Sequence, residues 1–172
     1  IPKRYLRASV TNAESIRYIE SYRPGIGTGL YFLGGVGAGK TYEASALAKS
    51  FVWAGYSVVF TTTLSMLDSI RRSYDGKSGA GIARFSRADL LVLDDLGKEN
   101  ANSWVLTTLF QILNERYERL LPTVFTSQYA ICDLERRMSR NGERESAQAI
   151  ASRIGQVSTV VDLGRADRRR RG

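Results

Sequence analysis

Eight consecutive residues, Gly34-Gly-Val-Gly-Ala-Gly-Lys40-Thr41, satisfy the spacing G-x-x-x-x-G-K-[ST] at every defined position. That spacing is suited to holding phosphate. Glycines remove the Cβ atoms that would keep a backbone from wrapping an oxyanion, so the N–H groups of residues 35–41 can converge on one phosphate. A helix opening at Lys40 adds the positive end of its dipole. Gly35, Val36, Gly37, Ala38, Gly39, Lys40, Thr41 and Tyr42 are therefore the candidate nucleotide-binding residues. With ATP or ADP as the nucleotide, Lys40 is expected to reach the β- and γ-phosphates, and the Thr41 hydroxyl to sit on Mg²⁺.

Two more polar groups fit the same chemistry. Asp94-Asp95 closes the apolar run Leu90-Leu-Val-Leu93. An acidic residue at the end of a buried strand beside the strand that feeds the phosphate loop can orient Mg²⁺, usually through its water. Asp94 is assigned that role, and Asp95 the polarisation of an attacking water. Two acids before Gly97 could equally form a solvated turn; their coincidence with the phosphate loop favours the catalytic reading. Aspartate is one carbon shorter than the glutamate many such ATPases carry here, so slow basal hydrolysis is expected. Thr126-Ser127-Gln128 ends a further apolar run, and Gln128 is the candidate to hold the lytic water or the γ-phosphate.

These residues need strands and helices to place them. Gly29–Leu33, Tyr56–Thr62, Leu90–Leu93, Thr123–Thr126 and Val157–Leu163 are apolar or β-branched runs bounded by turn residues, hence strands. Helical spacing marks 11–22, 41–54, a segment through Leu64, Leu67, Ile70 and Tyr74, then 102–121, 131–138 and 146–154. Residues 75–81 and 139–143 have loop composition. Strands alternating with helices, with apolar runs lacking a clean period of two, indicate a parallel sheet covered on both faces. Trp53 and Trp104 lie on helical stripes and are expected in the core.

Composition narrows the chemistry. The 172 residues are 43% hydrophobic and 24% charged, ordinary for a folded domain. There is no histidine and one cysteine, Cys132, which excludes histidine triads, histidine metal sites, disulfides within the chain and CxxC pairs. Lys and Arg total 25 against 17 Asp and Glu, a net charge of +8. The tail Arg165–Gly172 holds five Arg against Asp167, half of that excess. No apolar run approaches the length of a membrane span, and cytoplasmic localisation is expected.

The phosphate loop, LLVLDDLG (90–97), Ile1-Pro-Lys-Arg-Tyr5, Pro122-Thr-Val-Phe-Thr-Ser-Gln-Tyr129, Ile150-Ala-Ser-Arg-Ile154 and Ala166-Asp-Arg-Arg169 together resemble the AAA+ ATPase domain of bacterial replicative helicase loaders of the DnaC/DnaI type, with IstB-like transposition ATPases as close relatives. The likeness covers nearly the whole chain. It implies an α/β P-loop NTPase (AAA+) fold: a parallel five-stranded sheet flanked by helices, without a large C-terminal lid domain. It implies one ATPase domain over 1–172, with a basic tail at 165–172. Because the chain opens on Ile1-Pro2-Lys3-Arg4, it is expected to be a fragment lacking an N-terminal helicase-binding domain.

The resemblance also implies roles. Arg153 matches the arginine finger, which reaches the γ-phosphate bound by a neighbouring subunit. Arg169, or else Arg168, matches the sensor-2 arginine that contacts ATP in cis. Lys3–Tyr5 would lie near the adenine. Gln128 departs from the pattern, standing where many relatives carry Asn. The implied partners are a replicative DNA helicase, single-stranded DNA and further copies of the chain, joined head to tail through Arg153.

Arg71, Arg72, Lys77, Arg84 and Arg87, against Asp68 and Asp75, mark residues 64–87 as the candidate nucleic-acid surface. Tyr74 and Phe85 there are read either as base-stacking or as core. Three other functions stay open: an IstB-like regulator of a transposase on duplex DNA, a small P-loop kinase, and a module that holds ATP without cleaving it. The DDLG ending and the lack of an Arg-rich lid argue against the kinase.

Overall fold

The computed structural model describes residues 1–76, 79–141, 143–164 and 166. A 3-10 turn at Lys3–Tyr5 precedes helix α1 (Ala13–Ser21), strand β1 (Gly29–Leu33) and helix α2 (Lys40–Trp53). Next come β2 (Val58–Thr62), α3 (Thr63–Tyr74), α4 (Ile82–Arg87), β3 (Leu90–Asp94) and α5 (Ser103–Glu118). Last are β4 (Thr123–Ser127), α6 (Ile131–Met138), a 3-10 turn Ser139–Asn141, α7 (Arg144–Val157) and β5 (Ser158–Asp162). The strands form one parallel sheet in the order β2-β3-β4-β1-β5.

Strand β3 is buried along its whole length, which is why its sequence does not alternate. Leu91 and Leu93, with Tyr31 and Phe125, pack against α3–α7. Leu90 and Val92, with Leu30, Phe32 and Val124, pack against α2, and Tyr18 and Ile19 of α1 extend that layer. Both faces are covered, so neither set of side chains can be polar.

Strand order corrects one expectation. The Asp94 strand is not beside β1, because β4 pairs with both β1 and β3 and separates them. The polar end of β4 therefore stands between the phosphate loop and the acidic pair. At the other end of the sheet, β1 and β4 approach so closely that a Cβ on Gly29 would lie 1.9 Å from the Thr123 carbonyl oxygen. Only glycine fits there.

Other departures have local causes. Trp53 is 78% exposed rather than in the core, because it ends α2 beyond the sheet, under the Lys49 ammonium. Trp104 is half-buried, with the Arg71 guanidinium over its ring. Tyr117 and Leu120 continue the α5 stripe in sequence but are exposed past the edge of the packing. Helix α4 is too short to show a period, and it places Phe85 in the core while Tyr74 stays exposed. The last turn of α7 takes Val157, which the β-branched composition had suggested was strand. Lys77, Arg168, Arg169 and the tail, except Ala166, lie outside the described residues.

One buried cation ties the helical layer to the sheet. Arg116, 1% exposed in the last turn of α5, donates through Nε to Thr123 Oγ1 at 2.9 Å. Its Nη1 donates to the Phe85 and Ala88 carbonyls at 2.9 and 2.8 Å, and its Nη2 to the Pro122 carbonyl at 2.6 Å. Burial pushes its pKa down to about 10, so it stays protonated at neutral pH. Four neutral acceptors spread around one planar fork are what arginine can satisfy and lysine cannot. Arg116→Ala would take their charged donor from the Phe85 and Ala88 carbonyls and the Thr123 hydroxyl in the interior, while the Pro122 carbonyl would keep only the Leu91 N–H at 3.4 Å. The expected loss is about 3 kcal/mol, read as a lower urea midpoint with an unchanged m-value.

Candidate functional site

The turn from β1 into α2 uses left-handed backbone at Gly37 (φ 80°) and Gly39 (φ 96°), which side-chain-bearing residues seldom adopt. The turn is anchored at its base. Gly34 N–H donates to the Ser127 carbonyl at 3.3 Å and Gly35 N–H to the Gly164 carbonyl at 2.9 Å, so the ends of β4 and of the β5 segment hold it. Lys40 is the first residue of α2 and is buried; its Nζ donates to the carbonyls of Gly34 and Gly35, both at 2.8 Å. An ammonium group is thus folded back over the loop. The adjoining cavity, about 520 Å³, is lined by Gly37, Lys40, Thr41, Asp95 and Gln128, with Arg4, Tyr5 and Thr11 on another wall.

The acidic end of the site is organised by hydroxyls. Asp94 is 6% exposed. Its Oδ1 accepts from Thr41 Oγ1 at 2.9 Å and from Thr126 Oγ1 at 2.6 Å. Thr126 Oγ1 in turn accepts from the Asp95 N–H at 2.9 Å, and the Thr126 carbonyl accepts from the Leu96 N–H at 2.9 Å. These bonds hold Asp95 at φ 60°, a left-handed conformation costing about 1 kcal/mol for a residue with a Cβ. The Asp95 carboxylate turns into the cavity and pairs with Lys98 at 2.8 Å. Gln128 is exposed at the cavity edge and donates to the Tyr129 hydroxyl at 2.9 Å. The Tyr129 carbonyl is itself fixed by the Tyr31 hydroxyl at 2.6 Å.

A hydroxyl and a carboxylate within 2.9 Å, both beside a phosphate-type loop, form a hard oxygen donor set. It fits Mg²⁺, which takes one or two protein oxygens and completes its shell with phosphate and water.

The wall opposite the loop is a segment whose fixing residues the sequence did not mark. The buried Glu43 carboxylate accepts from the Thr11 N–H at 3.2 Å and from the Thr11 hydroxyl. Lys49 donates to the Leu6 and Ala8 carbonyls at 3.1 and 2.7 Å, and the Tyr42 hydroxyl accepts from the Ser9 N–H at 3.2 Å. Tyr5 meets the Tyr42 ring edge-on at 6.1 Å. One face of α2 therefore stitches residues 5–11 against the cavity. Glu43 amid the apolar positions of α2 was the available signal: a charge on a buried stripe needs a partner.

The remaining candidates lie elsewhere. Arg153 on α7 does not line the cavity. Its guanidinium stacks on Tyr117 at 3.8 Å and donates to Asn114 and Gln156, both at 2.9 Å. Arg72 pairs with Asp68 at 2.7 Å, Arg87 with Glu115 at 3.5 Å, and Arg84 is exposed.

The chain matches the family described as IstB-like ATP binding protein over residues 9–172. It is 28% identical to the replicative helicase loader DnaI of Bacillus subtilis over 159 residues, 88% of this chain and 51% of that protein. It is also 28% identical to the ATP-binding protein of insertion sequence IS21 from Pseudomonas aeruginosa, over 76% of this chain and 48% of that protein. The chain thus spans about half the length of these curated relatives. Among solved structures, a DnaI crystal structure superposes with a TM-score of 0.79 at 25% identity, covering 94% of each chain. The DnaC helicase loader superposes at 0.77 with 24% identity, over 94% of this chain and 99% of that one, and shares the fold. These likenesses agree with the AAA+ P-loop architecture expected from sequence.

Burial raises the pKa of Asp94 against the opposing hydroxyl bonds. The folded state therefore keeps that proton to higher pH than the unfolded chain does. Stability is lost as pH rises through the folded value, and the penalty is fully present at neutrality. Asp94→Asn keeps the shape, an acceptor for Thr126 and a donor for Thr41. It should be more stable than the parent at pH 7 in ligand-free urea titrations, with the gain vanishing below the ordinary aspartate value of 3.8.

Proposed function

This chain belongs to the IstB-like ATP-binding proteins, and from that premise we propose that it is a Mg²⁺-dependent ATPase that delivers a replicative DNA helicase onto single-stranded DNA. The observation that carries the proposal is the convergence of Lys40, Thr41, Asp95 and Gln128 on one cavity, with Asp94 bonded to Thr41 at its floor. Binding comes first. The N–H groups of residues 35–41 hold the phosphates, Lys40 exchanges its loop carbonyls for phosphate oxygens, and residues 4–11 close the base side. Thr41 and Asp94 would hold Mg²⁺, which when bound supplies positive charge to the β- and γ-phosphate oxygens.

Asp95 then accepts the proton of the attacking water as the bond from its oxygen to the γ-phosphorus forms. The bond from phosphorus to the β,γ-bridging oxygen breaks, and ADP and orthophosphate are the products. Gln128 orients the water or the γ-phosphate from the β4 side. Arg153 has neutral hydrogen-bond partners and lies off its own cavity, which suits a finger presented to a neighbouring copy in a head-to-tail assembly. Arg169 is proposed as the cis sensor. Arg71, Arg72, Lys77 and Arg84, with the exposed Tyr74, are proposed to face single-stranded DNA.

The deciding experiment is calorimetry plus phosphate release. Lys40→Ala should abolish ATP binding. Asp95→Asn should keep it within a few-fold while turnover falls by roughly 10²–10⁴. Equal loss of binding in both variants would remove the catalytic assignment of Asp95.

A second variant tests assembly. Arg153→Ala should leave ATP affinity intact and lose turnover stimulated by DNA or helicase, by roughly 10³-fold. Unchanged stimulated turnover would remove the finger.

The insertion-sequence relative favours a second reading, an ATPase regulating a transposase on duplex DNA. Affinities for single-stranded and duplex DNA across a salt series separate the two, since a loader prefers single strands at every salt concentration.

A further inference from the structure

A second, smaller cleft of about 260 Å³ adjoins the first and shares Lys98 with it. The loop after β3 forms one side, and the end of α6 with its 3-10 turn forms the other. Lys98, Arg137 and Arg140 line it together with Glu99, Asn100 and Asn141. Three cations thus share a concave site with one carboxylate, whose hydrogen bonds go to the backbone of its own loop. Glu99 is 6% exposed and its oxygens accept the Gly97 N–H at 2.9 and 3.2 Å. Burial raises its pKa, against the opposing field of the Arg137 guanidinium.

The cations are held in place rather than free to disperse. Arg137 donates through Nε to the Gly97 carbonyl, and its guanidinium lies 5.1 Å from the Tyr129 ring centre. Its Nη groups make no ion pair among the described residues. Asn141 ties the turn carrying Arg140 to the other side, donating to Asn100 Oδ1 at 3.2 Å and the Ala101 carbonyl at 3.1 Å. Arg140 is exposed and makes no ion pair among the described residues.

We propose that this cleft binds a phosphate oxyanion, supplied either by the backbone of single-stranded DNA or as free orthophosphate. Two guanidinium forks and an ammonium around one hollow match the several oxygens of a phosphate, and a fixed fork loses little entropy on binding it. The site also reaches the chemistry next door. Lys98 Nζ is 2.8 Å from Asp95 Oδ2, so a phosphate in the cleft competes with Asp95 for the same ammonium.

The test uses the 172-residue chain without ATP, so its failure leaves the ATPase reading intact. Only the DNA arm rests on the chain engaging single-stranded DNA. Fluorescence anisotropy with labelled oligothymidylate is measured across a salt series for the parent, Arg140→Glu and Arg136→Glu. Arg136 lies in α6, just before the turn that carries Arg140, but pairs with Asp133 at 3.1 Å and does not line the cleft. Arg140→Glu should weaken binding roughly tenfold and flatten the log–log salt slope by roughly 0.7–1, with a much smaller effect of Arg136→Glu.

The second arm titrates inorganic phosphate into the Lys40→Ala chain, which lacks the loop ammonium, and follows backbone amide shifts. Movement of the Lys98 and Asn141 amides that Arg140→Glu abolishes, with oligothymidylate binding unaffected, identifies free phosphate as the source. If the two charge reversals weaken oligothymidylate binding equally and inorganic phosphate moves neither amide, the effect is a long-range field and the proposal is overturned. It is overturned equally if neither probe responds to Arg140→Glu.

Discussion

A carboxylate at the end of a central strand has to be paired with hydrogen-bond donors, and here two threonines, Thr41 and Thr126, meet that demand. Asp94 stands 6% exposed beside a sheet buried on both faces, where an unpaired carboxylate would simply take up a proton. The Thr126 hydroxyl donates to it at 2.6 Å and accepts the Asp95 N–H at 2.9 Å. One oxygen therefore fixes the proposed metal-side acid and the backbone of the proposed catalytic acid together. The left-handed turn at Asp95 follows from this, because the chain must reverse sharply for its N–H to reach Thr126 while its side chain points into the cavity. The strain is small, and the surrounding bonds of Leu96 and Ser127 offset it.

Thr126 can do this only because of the strand order. With β4 inserted between β1 and β3, the loop after β1, the acids after β3 and the polar end of β4 all emerge at the same carboxyl edge. The phosphate-type loop is braced on both sides, by Ser127 of β4 and by Gly164 after β5. The sheet thus sets the relative positions of Lys40, Asp94 and Gln128, and helix α2 sets the fourth wall through Tyr42, Glu43 and Lys49. Every wall of the cavity is attached to a buried element, which is the arrangement that holds reacting groups within a few tenths of an ångström.

Much of this was legible in the sequence because the signals are local. The phosphate loop declares itself by glycine spacing, and its neighbours by apolar runs of strand length. Strands β1 and β3 and helix α6 fall where turn residues bound them. Strand order was not legible: nothing local distinguishes β3 beside β1 from β3 one place away, because both arrangements bury the same apolar runs. Trp53 was misplaced for a similar reason. A helical stripe specifies a face but not where the sheet beneath it ends, and Trp53 falls past that end. Helix α4 escaped notice because six residues cannot display a 3.6-residue period.

The cations show the same divide most sharply. Composition counts Arg116, Arg137, Arg140 and Arg153 alike, although Arg153 also matches the arginine finger, and each has a different environment. Arg116 spends its donors on carbonyls inside the protein, Arg153 lies on a tyrosine ring, Arg137 braces the loop after the acidic pair, and Arg140 points into a polar cleft. Net charge counts them equally, but a cation whose donors are all spent on buried acceptors, as those of Arg116 are, cannot recognise an anion without giving them up. The charge free to meet an anion is therefore smaller than a net charge of +8 suggests. The proposed phosphate cleft shares Lys98 with Asp95 and the larger cavity, a link that the more numerous arginines of α3 and α4 do not make. Two of those, Arg72 and Arg87, are already paired with Asp68 and Glu115.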